Sequence, residues 1–275
     1  MLKRAQIEDS GNRTSRVVFD DVSVRFETPE GSITALDDVS LDLLDGEFVS
    51  VIGPSGCGKT TIFNILGGFI RPSAGTVTLD GRRIEGPNAS VGLVFQEDST
   101  FPWRTVIDNV AFPLEIAGVP KPKRHGAARA YIAMVGLSGF EHRYPPELSG
   151  GMRQRVALAR TLITEPAILL MDEPFAALDE QTRALIGDKV LQIQQELKQT
   201  TLLITHNITE AVQLSDRVLV MTCRPGKVKR IVDIDLPRPR SSEVIGSERF
   251  GSYVASIWAD LREEASRGMA EAGSP

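Results

Sequence analysis

What the chain lacks narrows it first. Only two cysteines occur in 275 residues, Cys57 and Cys223. No disulfide framework can staple such a fold, and both read as reduced thiols of an intracellular protein. No apolar run approaches the roughly 20 residues needed to cross a bilayer, so any role at a membrane must pass through a partner. Residues 1–16 are polar and lack the apolar middle of a signal peptide. They read as a short disordered lead on a chain made and kept in the cytosol. Positive charge is not in excess: the net charge is −5, which disfavours a general nucleic-acid binder while leaving room for local basic clusters. No internal repeat is visible, so the chain carries a single nucleotide domain.

What remains is ordinary globular composition, 41% hydrophobic and 24% charged, in a length that suits one large domain or one domain with an insert. Val22, Val24 and Phe26 alternate with Ser23 and Arg25, the period of a half-buried strand. After the Asp45-Gly46 turn, the apolar run Phe48–Ile52 leads into Gly53-Pro54-Ser55-Gly56-Cys57-Gly58-Lys59-Thr60, and Lys59 to about Leu66 reads as a helix. Strand, glycine-rich loop and helix together form the context of a phosphate loop. Its glycines let backbone N–H groups converge on phosphates, and the helix N-terminus adds its positive dipole end. Lys59 is placed to reach the β and γ phosphates, and Thr60 to offer a hydroxyl to Mg²⁺.

Further apolar runs at Thr76–Leu79, Val91–Phe95, Ala167–Met171, Thr201–Thr205 and Val218–Met221 are mostly continuous, as in strands buried on both faces of a parallel sheet. Between Gln96 and about Glu165 helical patterns replace them, jointed by Pro102, Pro113, Pro120, Pro122, Pro145 and Pro146. This stretch reads as a helical insert in an α/β core. Ile186, Val190, Ile193 and Leu197 then line one face of a long helix. A Pro/Arg/Ser-rich tail from about Pro237 closes in a helix whose stripe is Phe250, Tyr253, Val254, Ile257, Trp258 and Leu261; such a stripe usually packs on its own domain.

The strand Ala167–Met171 ends in Asp172-Glu173. In a phosphate-loop fold that strand is expected beside the loop, with Asp172 holding Mg²⁺ through water and Glu173 polarising the attacking water. Leu148-Ser149-Gly150-Gly151-Met152-Arg153-Gln154-Arg155 opens a second basic helix. Ser149 is its N-cap, and Gly150 and Gly151 offer unhindered N–H groups, a second anion site with no phosphate of its own in the same subunit. That points to a composite pocket completed by another copy. Gln96 follows a buried strand and opens the insert, so it can couple a γ-phosphate or Mg²⁺ contact to motion of that insert. His206 follows the strand Thr201–Thr205 and is placed to hold the γ-phosphate and the attacking water. His125 and His142 lie in polar helical surroundings and receive no role.

These motifs resemble the ATPase subunit of an ABC transporter from about Val17 to Asp235. The resemblance implies an α/β fold: a P-loop NTPase core of ABC type with a mostly parallel sheet (17–95 and 166–235), an N-terminal antiparallel β subdomain, an inserted α-helical subdomain (96–165), and a C-terminal tail and helix (236–275). It implies that Phe26 stacks on adenine, although a strand-end phenylalanine is more often core. Nucleotide-binding positions are then Gly53, Pro54, Ser55, Gly56, Cys57, Gly58, Lys59, Thr60 and Thr61, with no chemistry for the Cys57 thiol. Gln96, Lys59, Glu173 and His206 fall to the catalytic group, and Thr60, Gln96 and Asp172 to Mg²⁺. Ser149, Gly150, Gly151 and Asp179, the D-loop residue of Ala177-Leu178-Asp179, act in trans.

Phe101-Pro102-Trp103-Arg104-Thr105-Val106 and the run 171–183 resemble importer ATPases for nitrate, aliphatic sulfonates and taurine. By that likeness Pro102, Trp103 and Arg104 form a docking surface for a membrane subunit, although Trp103 could instead pack within the insert. The partners implied are a second copy of the chain, two integral-membrane permease subunits and, indirectly, an extracytoplasmic solute-binding protein. The place implied is the cytoplasmic face of the cell membrane, peripherally held. An exporter subunit, a non-transport ABC ATPase acting on nucleic acid, and a plain phosphate-loop kinase or GTPase are the rivals. The last leaves Ser149-Gly150-Gly151 unexplained.

Overall fold

The computed structural model describes residues 14–29, 31–97, 99–176, 178–238, 240 and 242–272. Of the expected lead, residues 1–13 lie outside that set; Ser15 and Arg16 already belong to a strand, where Arg16 pairs with Asp45 at 2.5 Å.

Strand β1 (Ser15–Thr28) alternates because one face is core, and it pairs antiparallel with β2 (Gly31–Leu44). On its other side it pairs antiparallel with β4 (Ala74–Leu79), which pairs with the short β5 (Arg82–Arg83), giving the order β2-β1-β4-β5. This is the N-terminal antiparallel sheet. The second sheet runs β10-β9-β3-β8-β7-β6. It is built from β3 (Phe48–Ile52), β6 (Val91–Val94), β7 (Ile168–Asp172), β8 (Thr200–Ile204), β9 (Arg217–Met221) and β10 (Val228–Asp233). All its pairings are parallel except β10 with β9. Every residue of β3 and β8 is buried, which is why these strands show no alternation in sequence.

The order corrects one expectation. β7 does not lie next to β3, because β8 intervenes and pairs with both. The end of β8 therefore sits between the phosphate loop and Asp172. Helix α1 (Lys59–Leu66) buries Ile62, Phe63, Ile65 and Leu66 in a core shared with both sheets.

The insert holds α2 (Val106–Val110), α3 (Phe112–Ile116), α4 (Lys121–Met134) and α5 (Gly150–Leu162). Pro113 and Pro122 sit in first turns, where a missing N–H costs nothing. Helix α5 shares one core with α2 and α4 of the insert and with β6 and β7. Helix α6 (Glu180–Leu197) buries Ile186, Val190 and Ile193, whereas Leu197, at 39% exposure, turns outward at the helix end. Helix α7 (Ile208–Leu214) and α8 (Glu248–Ala272) cover the β9 side. In α8, Phe250 and Ile257 are buried and Tyr253, Val254 and Leu261 partly so, so the stripe packs on its own domain; Trp258 does not join them and stays 60% exposed. Among the described residues no helix is long and apolar enough to cross a membrane.

Candidate active site

The site grows from the C-terminal ends of the parallel strands, where an open α/β sheet leaves its crevice. The loop after β3 closes on two glycines with positive φ, Gly56 at 76° and Gly58 at 94°. At Gly58 a Cβ would also meet Leu36 Cδ2 at 2.5 Å, so both backbone and space require glycine. Lys59 folds over the loop, its Nζ donating to Gly53 O at 2.8 Å and Pro54 O at 2.9 Å. The Cys57 thiol is buried beneath, and burial raises its pKa against the opposing charge of Lys59. Ser55, Gly56 and Thr60 face solvent.

Two strands away, Asp172 ends β7 and Glu173 follows it. Burial, then the adjacent Glu173 charge, pushes the Asp172 carboxyl upward, and Lys59 partly offsets this. Glu173 adopts a left-handed backbone, φ 44°, pinned by its N–H donating to Ile204 O at 2.8 Å. Strained non-glycine residues of this kind concentrate at functional sites. His206, just past β8, faces Glu173 with Nδ1 3.2 Å from Oε2. The intervening β8 is thus what brings this histidine to the acidic pair.

Behind His206 lies a residue that sequence reasoning missed. Glu210 is buried in the first turn of α7 and takes a very short hydrogen bond from the Thr205 hydroxyl. Thr205 Oγ1 also accepts from Asn207 N at 3.0 Å. Burial raises the Glu210 carboxyl, and its Oε1 finds no partner. Its position, i+4 from His206 at the head of a helix, was the available signal.

Gln96 is exposed at the end of β6. The residue before it is tied to the insert: Gln154 Nε2, on α5, donates to Phe95 O at 3.0 Å. Ser149 caps α5 as expected, accepting from Met152 N at 3.3 Å. The two glycines differ. A Cβ at Gly150 would meet only Arg153 Nη2 at 3.8 Å, whereas at Gly151 it would crowd Thr182 Cγ2 at 3.0 Å and Ile186 Cδ1 at 3.3 Å. Gly151 is therefore small because α5 and α6 approach there, a packing role the sequence alone did not reveal. Asp179 caps α6, accepting from Thr182 N at 2.9 Å, which lowers its pKa; its neighbour Ala177 lies outside the described residues. Among the described residues no hydrogen bond or ion pair joins Ser149–Gly151 or Asp179 to the loop 53–61.

Phe26 is 42% exposed and lies just past a register irregularity between β1 and β2 at Val24/Arg25. Trp103 is 72% exposed, with its ring 5.6 Å from that of Phe101. Arg104 is engaged by Glu115 at 3.0 Å and lies over the Phe112 ring. Beside them an open groove of about 990 Å³ runs between β6, α3, α4 and α5, lined by Phe95, Phe101, Phe112, Leu114, Tyr131 and Arg160 among others.

The chain is similar to known proteins. A family model described as ABC transporter matches residues 36–176. A taurine import ATP-binding protein of Roseobacter denitrificans is 43% identical, covering 92% of this chain and 98% of that protein. A nitrate import ATP-binding protein of Synechocystis is 45% identical over 88% of this chain and 93% of its own. A dimeric ATP-binding cassette solved in a post-hydrolysis state with ADP and Pi is similar with TM-score 0.71 and 32% identity, covering 80% of this chain and 100% of that one.

Proposed function

The chain belongs to the ABC transporter ATPases, and from that premise we propose that it is the ATP-hydrolysing, energy-coupling subunit of an importer for a small solute such as nitrate, an aliphatic sulfonate or taurine. The observation that carries the reading is the separation within one chain of two half-sites. The phosphate loop with Asp172, Glu173 and His206 forms one, and the Ser149–Gly151 corner with Asp179 forms the other. A second copy placed head to tail brings the halves together around two ATP molecules.

In that closed pair Lys59 and the N–H groups from Gly56 to Thr61 hold the phosphates of ATP. Glu173, its carboxylate fixed by the His206 contact and its strained backbone, polarises the attacking water and takes its proton. His206 holds the γ-phosphate. The partner's α5 N-terminus adds N–H donors to the same phosphate, and Phe26, projecting from β1, stacks on the adenine. Hydrolysis removes the γ-phosphate that joins the two chains, and the pair reopens.

Mg²⁺ fits the donors present. Thr60, Gln96 and Asp172 supply hydroxyl, amide and carboxylate oxygens, the hard donors this ion prefers. Burial and the Glu173 charge disfavour the charged form of the Asp172 carboxyl, and a bound cation would favour it. When bound, Mg²⁺ neutralises charge developing on the transferred phosphate.

The exposed Pro102-Trp103 corner, with the groove beside it, is the docking surface for a membrane subunit. Gln154, anchoring Phe95, links that surface to Gln96 and to the α5 corner, so closure of the dimer moves the docked partner. Two permease subunits and an extracytoplasmic binding protein complete the importer, and the chain sits peripherally at the cytoplasmic membrane face. Replacing Glu173 by Gln is expected to cut ATP turnover by about 10²–10⁴ while ATP binding persists. Wild-type turnover in that variant would remove Glu173 from the mechanism.

A further inference from the structure

Helix α8 contributes nothing to the half-sites described above, yet its polar contacts lead to the phosphate loop. Glu264 on α8 is completely buried. One of its oxygens meets Lys229 Nζ at 2.7 Å, and the other accepts from the backbone N–H of Cys223 at 3.0 Å. Arg267, one turn on, approaches within 3.6 Å. A buried carboxylate held by a backbone donor and two cations fixes both partners.

Cys223 begins the turn between β9 and β10. The turn is closed by Thr222, whose hydroxyl donates to Pro225 O at 2.9 Å and accepts from Lys227 N at 3.0 Å. The far side of the turn lies on the phosphate loop. A Cβ at Gly226 would fall 2.0 Å from Cys57 O, and one at Gly56 would fall 2.7 Å from Arg224 Nη2. Gly226 is also clamped to β2, donating to Ala35 O and accepting from Asp37 N, each at 3.0 Å. The Arg224 guanidinium thus lays both bulk and a positive charge on the loop.

We propose that α8 braces the phosphate loop: Glu264 holds the turn 222–226, and the turn presses Arg224 and Gly226 against Gly56 and Cys57, keeping the loop in its nucleotide-binding shape. Glu264 and Arg224 are positioning residues. The proposal rests on the reading of residues 53–61 as the ATP site. Its consequence is that a contact remote from the nucleotide sets nucleotide affinity.

The test is Mg·ATP affinity of the full chain, read with a fluorescent nucleotide and paired with kcat and KM, for Glu264→Gln, Arg224→Ala and the double variant. Each single change is expected to weaken binding about fivefold or more, the lower range for coupled sites. KM should rise while kcat at saturation is kept, and the double variant should be no worse than the weaker single one. Arg224 is exposed, so its variant keeps the test open should Glu264→Gln fold poorly. Affinity within twofold of wild type for Arg224→Ala, or additive losses in the double variant, would overturn the brace. Lys59→Ala is the control. If it bound Mg·ATP as wild type does, the reading of the loop itself would fail instead.

Discussion

Replacing Glu173 by Ala or by Gly separates backbone strain from chemistry at the proposed base. Both substitutions delete the carboxylate, its repulsion of Asp172 and its His206 contact, so these effects cancel between them. They differ in Cβ. At φ 44° a Cβ in the left-handed region costs about 1–2 kcal/mol. Glycine gives back about 0.5–1 kcal/mol through its freer unfolded chain. The Gly variant should therefore exceed the Ala variant by roughly 0.5–1 kcal/mol, or about 2 °C in Tm for a chain of this size. Scanning calorimetry of the two, side by side without nucleotide, reads the difference, and both should hydrolyse ATP at background. An Ala variant as stable as the Gly variant would show that residue 173 stores no strain, and the argument that its surroundings hold it in place would fall.

Three further outcomes follow from other parts of the site and fold. Ser149→Ala removes the α5 cap and should cost about 1 kcal/mol in unfolding free energy while reducing ATP turnover; full activity would exclude the α5 corner from the pocket. Arg217, paired with the buried Glu47 at 2.5 Å, joins β9 to the turn before β3. Arg217→Ala leaves that carboxylate without its cation, with only the Leu44 N–H among the described residues still donating to it, and should cost about 3–5 kcal/mol in a denaturant titration. The Asp172 carboxyl is raised by burial and then by Glu173, so its stabilising contribution is full in acid and is lost as pH rises through the raised value. Asp172→Asn should therefore gain stability relative to wild type between acid and neutral pH in metal-free buffer, and a constant difference would contradict the shift.

Much of the frame was legible because burial on two faces writes continuous apolar runs. β3 and α1 fall where Phe48–Ile52 and Lys59–Leu66 indicated. β2 and β10 went unread for different reasons. β2 carries Asp37 and Asp38, with Asp38 at φ 55° breaking the alternation. β10 is an edge strand whose Lys229 and Arg230 pair with α8. Strand order is a long-range property, so nothing local could say that β8 separates β3 from β7. Within the site, the spacing of Gly53 to Thr60 picked out Lys59 and Thr60, a strand end picked out Asp172 and Glu173, and the family resemblance assigned roles to Gln96 and His206. Gly151 was readable as an N–H donor but not as the glycine that lets α5 meet α6. Arg224 carries no motif at all, and only the fold lays it on Gly56.

Light scattering on the Glu173→Gln variant, with and without saturating Mg·ATP and free of membrane, tests the two-copy pocket most directly. A doubling of mass with Mg·ATP, abolished when Ser149 and Gly150 are also replaced, is expected. A strictly monomeric species under saturating nucleotide would contradict it.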